Sequence, residues 1–156
     1  MSKERRYWHP FIGFNYRMTN LQAAIGVAQM ERIEAIIQKK RENAQTYASL
    51  LSNVPGVTLP MEAEWARNVY WMYCILIDNS LWPPRDQIIS SLKTKGVDTR
   101  PLFYPIHSMP PYRSSDGHFP VAEDISRRGI NLPSGVGLTA QDIKRVVDAL
   151  ICELSR

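Results

Sequence analysis

At 156 residues the chain has the length of one compact domain and is short for two. Its 44% hydrophobic and 22% charged residues are the balance of a folded globular protein, which excludes a disordered or fibrous chain. Nineteen basic against 15 acidic residues leave a net charge of +4, spread along the chain and too small to argue for nucleic acid. No apolar run approaches the roughly 18 residues that cross a bilayer. The opening MSKERRYWHP has charges but no apolar stretch after them, so no secretory signal is expected. Cys74 and Cys152 are too few for a disulfide framework and lack metal-ligand spacing. A reduced, cytoplasmic protein that binds neither membrane nor nucleic acid is the expectation.

The first element predicted is a long helix over 20–52, capped by Thr19 or Asn20, whose side chains can accept a first-turn N–H. Leu21, Ala24, Ile25, Ala28, Ile33, Ile36, Ile37, Ala44, Tyr47, Leu50 and Leu51 recur along it at helical spacing. Such a rod would run about 50 Å, longer than a domain of this size is wide, so part of its apolar stripe would face something outside the domain. Within it, Lys39, Lys40 and Arg41 read as a solvated face. After the Pro55-Gly56 turn comes a short strand over 57–59. The run VYWMYCILI at 69–77 then reads as a buried central strand, with Tyr70, Trp71 and Tyr73, like nearby Trp65, assigned to core or interface and Cys74 to the core.

Pro83-Pro84 opens a helix that Gly96 ends. A strand over 97–102 follows, then a loop in which Pro101, Pro105, Pro110, Pro111 and Pro120 supply five of the chain's 11 prolines. A short helix over 121–128, a strand over 130–132 and a helix over 140–154 capped by Thr139 complete the chain. The sum is an α+β protein, a small antiparallel sheet backed by helices and preceded by the long helix. Three parts are expected: an arm over 1–19, the helix over 20–52 and an α+β domain over 53–156.

No Gly-rich phosphate loop, nucleophile elbow or zinc-protease motif is present. The only histidines are His9, His107 and His118, and with Asp116 or Glu123 they match no metal-ligand spacing, so no metal site is expected. Two segments carry more polarity than packing needs. In the first, Asn15, Tyr16 and Arg17 precede a helix N-terminus, where free N–H groups and the macrodipole favour an anion; capping, turning and a solvated Arg17 are the structural alternative. In the second, residues 99–107 run from a strand into a proline-locked loop bearing Arg100, Phe103, Tyr104 and His107, with Tyr112 beyond. Aromatics offer a flat surface to a base or sugar and His107 a titratable donor or acceptor; aromatic packing on the sheet is the alternative.

GFNYRMTNLQAAIG at 13–26 with AQMERI at 28–33, then TRPLFYPIHSMPPY at 99–112 and PVAEDISRRGINLPS at 120–134, closely resemble the DegT-type sugar-nucleotide aminotransferases, pyridoxal-phosphate (PLP) enzymes of the aspartate-aminotransferase fold. The resemblance spans nearly the whole chain but only the latter half of such an enzyme, the small domain. It implies PLP as cofactor, a homodimer or larger oligomer, a nucleotide-linked 4-keto-6-deoxy sugar as substrate and glutamate as amino donor. It places Asn15 on the PLP phosphate of the partner subunit with Tyr16 beside it. Arg17 falls near a substrate or donor carboxylate, Arg100, Phe103 and Tyr104 near the diphosphate and base, His107 in the sugar pocket, and Tyr112 close by.

The family's Schiff-base lysine sits in a Gly/Ser-rich loop. None of the six lysines here (Lys3, Lys39, Lys40, Lys93, Lys95, Lys144) does, so no catalytic residue is assigned to this chain and turnover by it alone is not expected. Two other functions compete. One is a PLP-dependent deoxysugar dehydratase, whose deciding residue would lie outside this sequence. The other is a non-catalytic module for nucleotide-sugar binding or dimerisation.

Overall fold

A computed structural model describes residues 14, 16–112 and 117–153 and divides the chain into two units, Met1–Glu34 and Ala35–Arg156. In the first unit, Thr19 caps helix α1 (Asn20–Met30). Its Oγ1 accepts the Gln22 N–H at 3.3 Å, and the Gln22 side chain accepts the Thr19 N–H at 2.9 Å. This reciprocal box satisfies two of the donors that a helix start leaves free. No residue of α1 is buried.

The single helix expected over 20–52 is two helices. At the end of α1 the Arg32 N–H donates to the Gln29 carbonyl at 3.1 Å, a bond one residue tighter than the α-helical ladder, and α2 (Ile33–Leu51) begins beyond that turn. The large apolar side chains of α1, Leu21, Ile25, Val27 and Met30, are exposed, as expected of a stripe that faces something outside the domain.

In the second unit four strands form one antiparallel sheet in the order β1 (Val57–Thr58), β2 (Tyr73–Ile77), β4 (Gly129–Leu132), β3 (Arg100–Pro101). Helices α3 (Arg85–Thr94), α4 (Pro120–Arg128) and α5 (Ala140–Ile151) fall between or after them. Because strand side chains alternate, Tyr73, Ile75, Ile77, Ile130 and Leu132 share one face. That face joins Tyr47 and Leu51 of α2, Ile88 and Leu92 of α3, and Ile143, Val146, Val147 and Leu150 of α5 in a single buried core. The register sets Cys74, Asn131 and Arg100 side by side on the opposite face.

Local chemistry fixes the boundaries. Gly96, at φ 76°, ends α3 in the left-handed conformation that suits glycine, and Thr139 with Asp142 makes a second capping box at α5. Gly56, at φ 72°, lies under the Trp82 ring, whose Nε1–H donates to the Pro55 carbonyl at 2.9 Å. The strand expected over 69–77 shortens to 73–77, because Tyr70 stands at φ 45° and breaks the extended run. The strand expected over 97–102 is paired only at Arg100–Pro101, an edge position where proline's missing donor costs the ladder nothing. No helix among the described residues is long and apolar enough to cross a membrane.

Candidate functional site

The sheet face turned away from the core carries the polar row Cys74–Asn131–Arg100. The Arg100 guanidinium reaches the Asp98 carboxylate at 3.8 Å, and both side chains are about four-fifths exposed. Asn131 is nearly buried. Its Nδ2–H donates to the Pro101 carbonyl at 3.1 Å, while its Oδ1 accepts no hydrogen bond among the described residues. A buried acceptor without a donor is costly. Met72, Asp98, Arg100, Asn131, Ser134 and Gly135 line a cleft of about 310 Å³ there.

Past β3 the chain enters the proline loop. Phe103 lies parallel to Trp71, with ring centroids 6.2 Å apart and planes 13° off, and the two residues are 63% and 65% exposed. Tyr104 and Tyr112 are also exposed. His107 sits in a 3₁₀ turn, Ile106–Ser108, with Nε2 2.9 Å from Glu123 Oε1 in the first turn of α4 and its ring 4.7 Å from that of Phe119. His118 Nδ1 stands 4.0 Å from the other Glu123 oxygen. The hydrogen bond from His107 holds the Glu123 carboxyl below the usual carboxylate range. Thus Arg100 lies at the cleft, Phe103 pairs with Trp71, and His107 is tied to α4, so the loop aromatics stay in solvent rather than packing on the sheet.

In the first unit, Tyr16, Arg17, Met18, Thr19 and Gln22 line a shallow depression at the α1 N-terminus. Tyr16 stacks on Phe14 at 5.4 Å, and no acidic residue occupies the first turn of the helix. Asn15 lies outside the described residues, as do His9 and Asp116.

Three readings of the sequence need correction. Lys40 and Arg41 are not a solvated face. The Lys40 ammonium donates to the carbonyls of Ser134 at 2.9 Å and Trp71 at 3.1 Å, and Arg41 Nη1 donates to Glu62 Oε1 at 2.9 Å and the Asn68 carbonyl at 2.6 Å. Burial pulls the Lys40 pKa below its ordinary value, while the hydrogen bond from Arg41 holds Glu62 low. Of the reading of Trp65 and Trp71 as core or interface, the core half fails, for both are exposed, Trp65 at 91%. Cys74 is only half-buried, on the outer face of the sheet. Trp71 reads from sequence as core or interface because it sits inside an apolar run, and Glu123 enters the sequence reading only as a metal-ligand candidate beside the histidines, not as the hydrogen-bond partner of His107 16 residues away.

The arrangement has the fold of the small-domain region of PLP sugar aminotransferases. It superposes on Streptomyces venezuelae DesV, solved in complex with a ketimine intermediate, with TM-score 0.82 and 28% identity over 97% of this chain and 41% of that one. It superposes on DesI, solved in the presence of its TDP-sugar product, with TM-score 0.83 and 29% identity over 89% of this chain and 36% of that one. The sequence profile of the DegT/DnrJ/EryC1/StrS aminotransferase family matches residues 1–151, and the chain belongs to that family. It is 43% identical over 96% of its length to GDP-perosamine synthase of Caulobacter vibrioides and 39% identical over 94% to that of Vibrio cholerae. It spans 41% and 40% of those two relatives.

Family members are PLP-dependent. The α1 N-terminus, with Arg17 ahead of it and no acidic residue in its first turn, fits the anionic end of that cofactor. The sequence has no lysine between Lys3 and Lys39. Of the described lysines, Lys40 is held by backbone carbonyls, Lys95 by Glu153 and Lys144 by Asp148.

Proposed function

We propose that this chain is the sugar-binding part of a PLP-dependent aminotransferase that acts on a nucleotide-linked 4-keto-6-deoxy sugar of the GDP-perosamine type, with glutamate as amino donor. The observation that carries the reading is the exposed face built by Arg100 and Phe103 beside the Asn131 cleft: a solvent-accessible cation and a flat aromatic surface on one strand and the loop that follows it. Its likeness to two GDP-perosamine synthases along nearly its whole length supports the same class of substrate.

Arg100 would take the diphosphate through charge-assisted hydrogen bonds, Phe103 and Tyr104 the base, and His107, oriented by Glu123, a sugar hydroxyl, with Tyr112 at the rim. Asn15 would hold the PLP phosphate of a partner subunit in a homodimer, with Tyr16 beside it and Arg17 on a carboxylate. PLP supplies the electrophilic carbon and the electron-accepting ring. The residues here bind, orient and shield the sugar, and the linking amine is not assigned to them, so turnover by this chain alone is not expected.

Calorimetry with GDP-mannose tests the reading. Millimolar or tighter binding is expected, weakened about tenfold by Arg100→Ala, the scale of a lost charge-assisted hydrogen bond. Binding that Arg100→Ala leaves unchanged would remove the assignment of this face to the nucleotide sugar.

A further inference from the structure

Lys40, Asn43 and Tyr47 lie on one stripe of α2, at i, i+3 and i+7, and all three spend their donors on backbone carbonyls of two loops. Lys40 Nζ donates to Ser134 O at 2.9 Å and Trp71 O at 3.1 Å, with Tyr70 O at 3.5 Å. Asn43 Nδ2 donates to Gly135 O at 3.0 Å and the Tyr47 hydroxyl to Pro133 O at 2.9 Å. Ser134 Oγ joins the two loops by donating to Trp71 O at 3.4 Å. A half-buried ammonium is stable only where acceptors converge on it, so this cluster is a tie point and not a chance contact.

What the tie fixes is the main chain of Trp71. The ring of Trp71 goes unused by the core and lies out in solvent, parallel to the equally exposed Phe103. Met72, Ser134 and Gly135, which adjoin the tied carbonyls, line the cleft together with Arg100 and Asn131. Two parallel exposed rings, one of them on the loop that follows Arg100, suit a planar heteroaromatic ring that is joined to an anion. A nucleobase with its phosphates has that chemistry.

We infer that Trp71 is a base-stacking residue of the nucleotide-sugar site and that Lys40 is its positioning residue. This rests on the function proposed above and deepens it by adding Trp71 to Phe103 and Tyr104 as a ring that stacks on the base. Lys40 touches no substrate; it sets the angle at which the Trp71 ring meets it.

The experiment measures binding of GDP and of inorganic pyrophosphate to the 156-residue chain by calorimetry. Trp71→Leu should weaken GDP by roughly 5- to 150-fold, the range for loss of one stacked base, and leave pyrophosphate unchanged. Trp71→Phe should keep GDP within about threefold, because the flat ring remains. Lys40→Met should weaken GDP in the same direction and Lys40→Arg restore most of it. In the Trp71→Leu background Lys40→Met should add nothing, which a general loss of stability would not reproduce. If Lys40→Met does not fold, the Lys40→Arg and Trp71 variants decide the matter. Equal losses for GDP and pyrophosphate in Trp71→Leu, or additive losses in the double variant, overturn the inference. So does unchanged GDP affinity in Trp71→Leu, which leaves the nucleotide-sugar reading standing; if that variant also loses a dimer in light scattering, the rings belong to a protein contact. Wild-type protein that binds neither GDP nor GDP-mannose overturns both.

Discussion

Replacing Tyr47 by Phe removes one oxygen from the middle of the molecule and little else. Tyr47 is fully buried, its ring stacked on Tyr73 with centroids 4.8 Å apart and planes 18° off, and its hydroxyl donates to the Pro133 carbonyl at 2.9 Å. Burial raises its pKa far above the ordinary tyrosine value, so the hydroxyl stays a donor at every working pH. Tyr47→Phe keeps the ring, the stack and the packing and leaves the Pro133 carbonyl without its donor, a loss of about 1–2 kcal/mol. Tyr47→Ala also deletes the ring, at about 3–5 kcal/mol for the cavity and about 0.5–1.5 kcal/mol for the stack. Urea denaturation should therefore place Phe well short of Ala, with a shifted midpoint and an unchanged slope. Two outcomes refute the reasoning. A neutral Tyr47→Phe means the bond from α2 to the cleft wall contributes nothing. A Phe variant as damaged as Ala means the ring is not seated as described.

Other perturbations separate the remaining parts of the account. Arg41 holds Glu62 below its ordinary 4.5, so the stability this pair gives is present above that value and lost as pH falls through the lowered one. Urea denaturation followed over acid pH should show stability falling less steeply in Glu62→Gln than in the wild type, and identical pH profiles would mean that the pair contributes nothing. Gly129→Ala would set a Cβ 2.7 Å from Leu102 Cβ and 2.9 Å from the Ile125 carbonyl, so denaturation should show a loss of about 1–3 kcal/mol, and a neutral result would mean that Leu102 and the loop beyond it yield freely. Thr139→Ala should cost about 1 kcal/mol by removing the α5 cap, measured in the same way, and no loss would mean water replaces the cap.

Where signals were local, the sequence was readable. Thr139 with Asp142, Gly96 and the apolar spacing of Ile143, Val146, Val147 and Leu150 each act within one or two turns, and the helices they define are where the pattern put them. The break after Met30 was not readable, since residues 31–32 contain neither glycine nor proline. Nor was the late start of the strand expected over 69–77, because its cause is a left-handed Tyr70 and carbonyls captured by a lysine some 30 residues earlier. For the site, proline density and unexplained polarity pointed to Arg100, Phe103 and His107. Trp71 was hidden because hydrophobicity does not say whether a ring faces the core or is held out of it. Asn15, assigned by resemblance, lies outside the described residues, and its role remains part of the proposal.

The most direct measurement is amino transfer by a chimaera in which residues 1–151 replace the matching region of the Caulobacter vibrioides GDP-perosamine synthase, 43% identical along this chain. Given PLP, ¹⁵N-glutamate and GDP-4-keto-6-deoxymannose, the chimaera should put ¹⁵N on the sugar, and Arg100→Ala should raise KM far more than it lowers kcat. A folded, PLP-loaded chimaera that leaves the sugar unlabelled, or one whose KM ignores Arg100, would contradict the account.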